Sequence, residues 1–127
     1  MKTPDASFRR RLLIEALTVV AAPAPHQTAW LEEHGVATDE IALDFEHASC
    51  LAECLVEEGL LDRDVLPHLR VIDSIFDGMT QDAAGNRWTT AALSSDPGWC
   101  RARGLAQDVL AREGVDASVL PDIRVIR

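Results

Sequence analysis

Apolar residues recurring at three- and four-residue steps, along most of the chain, narrow the possible folds more than any other feature. Ile41, Phe45, Ala48, Leu51, Ala52, Leu55 and Val56 repeat in this way, as do Phe8, Leu12, Leu13, Ala16, Leu17 and Val20. An α-helix turns once every 3.6 residues, so such positions form one stripe, whereas a half-buried strand needs strict alternation. Val65, Leu66, Leu69, Ile72, Phe76 and Met79 make a third stripe, and Trp99, Ala102, Leu105, Ala106, Val109 and Leu110 a fourth. Aromatic residues are only 5% of the chain and Tyr is absent, so the core must be built mainly from aliphatic side chains, which suits helices better than a β-sandwich.

Capping and breaking residues divide these stripes into elements. A first helix is expected from about Asp5 to Ala22, with Thr3 or Asp5 as N-cap and Pro23-Ala24-Pro25 ending it. Thr28 to His34 reads as a short helix closed by Gly35, with Trp30 and Leu31 as its apolar contacts. Thr38 ahead of Asp39 and Glu40 is an N-terminal signature, because a hydroxyl can cap free amides and acids meet the positive end of the helix dipole. The third helix is expected to run from there to Glu58, with Gly59 as the stop. A fourth begins at Asp62 or Arg63, with Pro67 in its first turn, where no intrahelical donor is lost.

Gly78 to Asn86 reads as a loop and Trp88 to Leu93 as a short helix or single turn. Asp96-Pro97 opens the last helix, which Gly114 closes. Residues 115–127 form an extended tail with an alternating Ile123 and Val125 pattern. The expectation is an all-α fold: an irregular antiparallel bundle of four main helices with one or two short ones. At 127 residues the chain is long enough for one core and too short for two, so residues 1–127 are read as a single domain.

Charge bears on function. The chain carries a net charge of -9, which argues against nucleic acid as a partner, since phosphate contacts need Lys and Arg. The excess is local: residues 38–82 hold twelve acidic side chains against Arg63 and Arg70. Such a field attracts basic proteins and speeds their association, although solvated acids also serve solubility alone. Glu46, Glu53 and Glu57 stand at i, i+7 and i+11, on one face if the third helix is continuous, and Asp73 and Asp77 are one turn apart on the fourth.

His47, Cys50 and Cys54 at i, i+3 and i+7 have residue types that suit zinc, with Cys100 or His68 as a possible fourth ligand. No Cys-x-x-Cys pair accompanies them, and cysteines are readily buried, so they are read as core or boundary residues and neither a metal nor another cofactor is assigned. Three cysteines without a dense framework are read as free thiols. Arg9, Arg10 and Arg11 before Leu12, Leu13 and Ile14 imitate a secretory leader, but Glu15 interrupts the apolar stretch and favours an amphipathic helix. With no run near the length of a membrane span, a cytoplasmic protein is expected. The four histidines share no spacing and are read as solvated, while Trp88 and Trp99 are read as core plugs. No nucleophile elbow, phosphate loop or dinucleotide fingerprint occurs, which favours a binding protein over an enzyme.

The segment Leu69-x-x-Ile72-Asp73-x-x-Phe76-Asp77-x-Met79-Thr80, followed by Trp88-Thr89, Ala92-Leu93, Asp96-Pro97-x-Trp99, Arg103, Ala106 and Leu110, resembles a group of small helical bacterial immunity proteins. These are encoded beside polymorphic or contact-dependent toxins. The likeness covers residues 65–114, about two-fifths of the chain. It implies an acidic helical protein that binds a cognate toxin, for instance a basic nuclease, and occludes its active site. Asp73 and Asp77 are the polar contact candidates inside that stretch, to which the charge pattern adds Glu46, Glu53 and Glu57. Two other readings stay open: a helical adaptor or regulator with no toxin partner, and a small metal-binding domain built on His47, Cys50 and Cys54.

Overall fold

The computed structural model describes residues 6–82 and 87–115. The expected N-caps Thr3 and Asp5, part of the expected loop (residues 83–86) and tail residues 116–127 lie outside these. The described chain is all-α: α1 (Ala6–Ala21), α2 (Ala24–His34), α3 (Asp39–Ser49), α4 (Ala52–Glu57), a 3₁₀ turn (Arg63–Val65), α5 (Leu66–Gln81), α6 (Thr90–Ser95) and α7 (Pro97–Arg112). The main contacts link α1 to α7 and α3, and α5 to α7, with α3 touching α5 more lightly, so these four helices enclose the core. Arg10 near the start of α1 reaches Glu113 just past α7, while Arg103 and Gln107 on α7 reach the carbonyls that end α1; the two helices therefore run antiparallel.

The four stripes supply the core. Leu13, Leu17 and Val20 meet Ile41, Phe45, Leu55, Val65, Ile72, Ala106 and Val109, all essentially inaccessible. Phe76 is the aromatic hub, with ring centres 5.9 Å from Phe45, 5.2 Å from Trp99 and 6.2 Å from Trp88. Trp99 is fully buried and donates its indole N–H to the Arg87 carbonyl at 2.9 Å, so the polar edge of this plug is satisfied. Partly buried Trp88 packs against the same cluster.

Stops at glycine follow expectation. Gly35, Gly59 and Gly114 all have positive φ, and the residue after each donates back to the carbonyl five residues earlier: Val36 to Leu31, Leu60 to Leu55 and Val115 to Leu110. This closing turn needs a left-handed residue, which a side chain disfavours. Asp96 caps α7 as expected, accepting from the Gly98 amide at 2.7 Å.

Other boundaries differ. Pro23 does not extend a breaker segment; it is the N-cap of an α2 that starts at Ala24, with Pro25 in the first turn. Thr38 does not cap α3: it is buried, has helical backbone angles and accepts nothing through its hydroxyl. Backbone bonds from Glu40 to Ala37 and from Ile41 to Thr38 open the helix instead. α5 continues through Gly78 to Gln81 because Met79, 1% exposed, belongs to the core.

The expected third helix is two. It breaks at Cys50 and Leu51, where Leu51 takes φ -106° and ψ 14° and lies exposed rather than in the core stripe. Ser49 Oγ and Cys50 Sγ donate to the carbonyls of Glu46 and His47, three residues back, and such local bonds compete with the helical ladder.

Candidate functional site

The break between α3 and α4 helps to shape a groove. Glu46, Ser49 and Cys50 from the end of α3, Ala52 and Glu53 from α4, and Leu66, Leu69, Arg70 and Asp73 from α5 enclose about 330 Å³ of open-sided space. Ala52, Leu66 and Leu69 are buried and give it an apolar lining, while Glu46, Glu53 and Asp73 are exposed and give it an acidic rim.

Three of the five carboxylates selected from the sequence therefore meet at one place. Glu57 lies one turn beyond Glu53 on α4 and Asp77 one turn beyond Asp73 on α5; both are exposed but line no part of the groove. The premise of a single uninterrupted helix carrying Glu46, Glu53 and Glu57 does not hold. Glu46 and Glu53 share the groove because the chain turns between them and α5 packs alongside.

One cation sits among these acids. Arg70 Nη2 lies 3.1 Å from Glu53 Oε1, linking α5 to α4, with the two side chains 67% and 73% exposed. A pair this open contributes little, because water screens it and two long side chains must be ordered, so it opens readily. Glu46 and Asp73 have no ion-pair partner within the described chain.

Many of the other acids of residues 38–82 serve local structure. Glu58 pairs with Arg9 at 3.1 Å, Asp82 lies 3.8 Å from Arg87, Asp62 accepts from the Asp64 amide that opens the 3₁₀ turn, and Glu40 is buried. Burial pushes the Asp44 carboxyl above its ordinary pKa, with His47 opposing the shift. The field that was legible in the sequence is thus unevenly presented, and the groove is where exposed carboxylates gather.

The metal candidates are not assembled. His47, Cys50 and Cys54 are exposed, Cys50 Sγ is turned onto the His47 carbonyl at 3.0 Å, and Cys100 is exposed on α7. Among the described residues no group of three or more His, Cys, Asp and Glu side chains is placed to hold a metal ion. The cysteines are surface thiols rather than the core or boundary residues expected. Nor are all the histidines simply solvated: His34 Nδ1 donates to the Trp30 carbonyl at 2.8 Å, and His68 Nδ1 is buried without a partner.

The most densely bonded polar site lies elsewhere, and sequence reasoning missed it. Arg103 Nε donates to the Ala22 carbonyl at 2.8 Å, and its Nη2 donates to the Leu93 carbonyl at 2.7 Å and to Gln27 Oε1 at 2.9 Å. Fully buried Gln27 donates in turn to the carbonyls of Val19 and Val20, and Gln107 to that of Ala21. A helix leaves its last four carbonyls without donors, and α1 has no closing glycine, so Gln27 from the next helix and the remote side chains Arg103 and Gln107 satisfy them. This site ties α1, α2, α6 and α7 together, its donors turned mainly onto the chain's own carbonyls.

At the opposite end of α1, Arg10 bonds the Leu60 carbonyl and Glu113, and Glu113 also accepts from the Asp62 amide. These contacts fix the α4–α5 connection, and with it the α5 wall of the groove. No helix of the described residues is long and apolar enough to cross a membrane. Compared with known proteins, the chain matches no family model, no curated protein and no solved structure.

Proposed function

We propose that this protein is a cofactor-free binding protein that neutralises a basic protein toxin by covering its working surface, with the α3–α4–α5 face as the contact. The observation that supports this reading is the meeting of Glu46, Glu53 and Asp73 on one open, apolar-lined groove. Carboxylates arranged in this way can take the lysines and arginines with which a nuclease holds phosphate, and they steer the encounter at long range. No chemical step is assigned to the protein; inhibition is steric and electrostatic, one molecule per toxin.

The test is co-expression in bacterial cells with the C-terminal domain of a toxin encoded beside its gene. The expected result is survival and a one-to-one complex that dissociates as salt is raised. Combined Glu46→Lys, Glu53→Lys and Asp73→Lys changes should abolish protection in a protein whose helical circular dichroism is unchanged. An adaptor without a toxin partner gives no protection with either version, and that outcome would overturn the proposal.

A further inference from the structure

Leu43 and Leu51, 50% and 42% exposed, are the large apolar side chains that the described chain leaves open to water. Neither lines the acidic groove, but each is a near neighbour along the chain of residues that do. Leu43 stands three residues before Glu46 and seven before Cys50, on the same face of α3, and Leu51 lies between Cys50 and Ala52; all three of those neighbours line the groove. The apolar lining at Ala52, Leu66 and Leu69 is edged by carboxylates, and the two exposed leucines lie on the adjoining turns of the chain. An apolar centre inside a charged rim is the anatomy of a protein-binding patch, and negative charge at the rim selects a positively charged partner.

The walls also restrict the conformation of what docks. They are helices, whose backbone groups are largely paired within themselves, and the described residues contain no strand edge on which an extended peptide could build a ladder. A helix brings its own backbone bonds and offers only side chains. From these observations we infer that the α3–α4–α5 face receives a basic amphipathic helix of the partner, whose apolar stripe covers Leu43, Leu51 and the groove lining while its lysines or arginines meet Glu46, Glu53 and Asp73. The inference rests on the reading of this face as a protein-binding site and adds the shape of the bound segment. Arg70 must swing off Glu53 to admit the incoming cation, which its exposed pairing allows.

Two synthetic 18-residue peptides of identical Leu and Lys content separate the possibilities, one with leucines on a single helical face and one scrambled so that no face forms. By fluorescence anisotropy in low salt, the patterned peptide should bind at least tenfold more tightly and gain helicity on binding. Leu43→Ser together with Leu51→Ser should weaken it at least fivefold and leave the scrambled peptide unaffected; because both side chains are exposed, the variant keeps the wild-type fold. Equal binding of the two peptides, or no effect of the leucine changes, would overturn the helical occupant while leaving an acidic docking face intact. Failure of both peptides to bind, or binding of the patterned peptide indifferent to Glu53→Lys, would remove the acidic face itself and both inferences with it.

Discussion

Replacing Arg103 by Met leaves the carbonyls of Ala22 and Leu93 and Gln27 Oε1 without the donor they now share. Partly buried acceptors stripped of a charged donor cost more than the bond itself gained, so the expected loss is about 2–4 kcal/mol in urea unfolding. Arg103→Lys recovers only part of it, because a single ammonium cannot reach three acceptors set around a planar fork. Asp96 supplies a second residue-scale test. The two bonds from Arg87, at 2.7 and 3.0 Å, hold its carboxyl below the usual range, and the Gly98 amide adds to this against the effect of burial. The folded state therefore binds this proton less tightly than the unfolded chain does. The resulting stability is complete above the unfolded pKa of about 3.9 and is lost as pH falls through the lower folded value. Asp96→Asn keeps a capping side chain and removes the charge, so it should cost about 1–2 kcal/mol at neutral pH and progressively less in acid. Thermal melts between pH 2 and pH 7 check this; a loss independent of pH would contradict it. Asp44 has the opposite sign, since burial raises its pKa and its contribution declines as pH climbs from the unfolded value toward the folded one.

The elements rest on two kinds of signal, local and remote. Gly59 is local: its φ of +76° closes α4, and an added Cβ there meets nothing within 4 Å. Gly59→Ala is therefore a purely conformational change, expected to cost about 1–2 kcal/mol by denaturant titration. Such positions were legible in the sequence because the residue type and the backbone angle imply each other, and the same is true of Asp96-Pro97 at the start of α7. The end of α1 was legible from Pro23, but what satisfies its last carbonyls was not. Its donors, Gln27, Arg103 and Gln107, leave no mark in the residues that precede Pro23. The break at Cys50 and Leu51 was hidden for another reason: the apolar spacing runs through it, and the side-chain bonds of Ser49 and Cys50 and the Leu51 backbone angles reveal the interruption. Of the groove, the carboxylates were legible and their company was not, since nothing in the spacing brings Asp73 and Arg70 of α5 beside Glu46 and Glu53. Arg70 gives the element-scale test of that company. Arg70→Gln frees Glu53 and should raise the association rate of the patterned Leu–Lys peptide about three- to tenfold. Arg63→Gln makes the same charge change at an exposed site outside the groove and should have a much smaller effect. Equal effects would mean that net charge, not the groove, governs binding.

At the scale of the molecule, four helices bury the apolar stripes, two short ones help close the end where α1 stops, and one face combines exposed carboxylates with exposed leucines. Many of the remaining acids are tied to arginines, capping amides or the interior, so the long-range field and the short-range contact surface need not coincide elsewhere on the protein. The proposed function places both on the α3–α4–α5 face, and it depends on that coincidence. Its most direct test is stopped-flow association with a basic toxin domain against which the protein protects in co-expression, comparing the wild-type protein with Glu46→Lys plus Glu53→Lys between low and physiological salt. The account predicts that the charge reversals slow association at least tenfold and flatten its salt dependence while the helical content stays the same. Association rates and salt dependence unchanged by those reversals, in a protein that still folds, would contradict it.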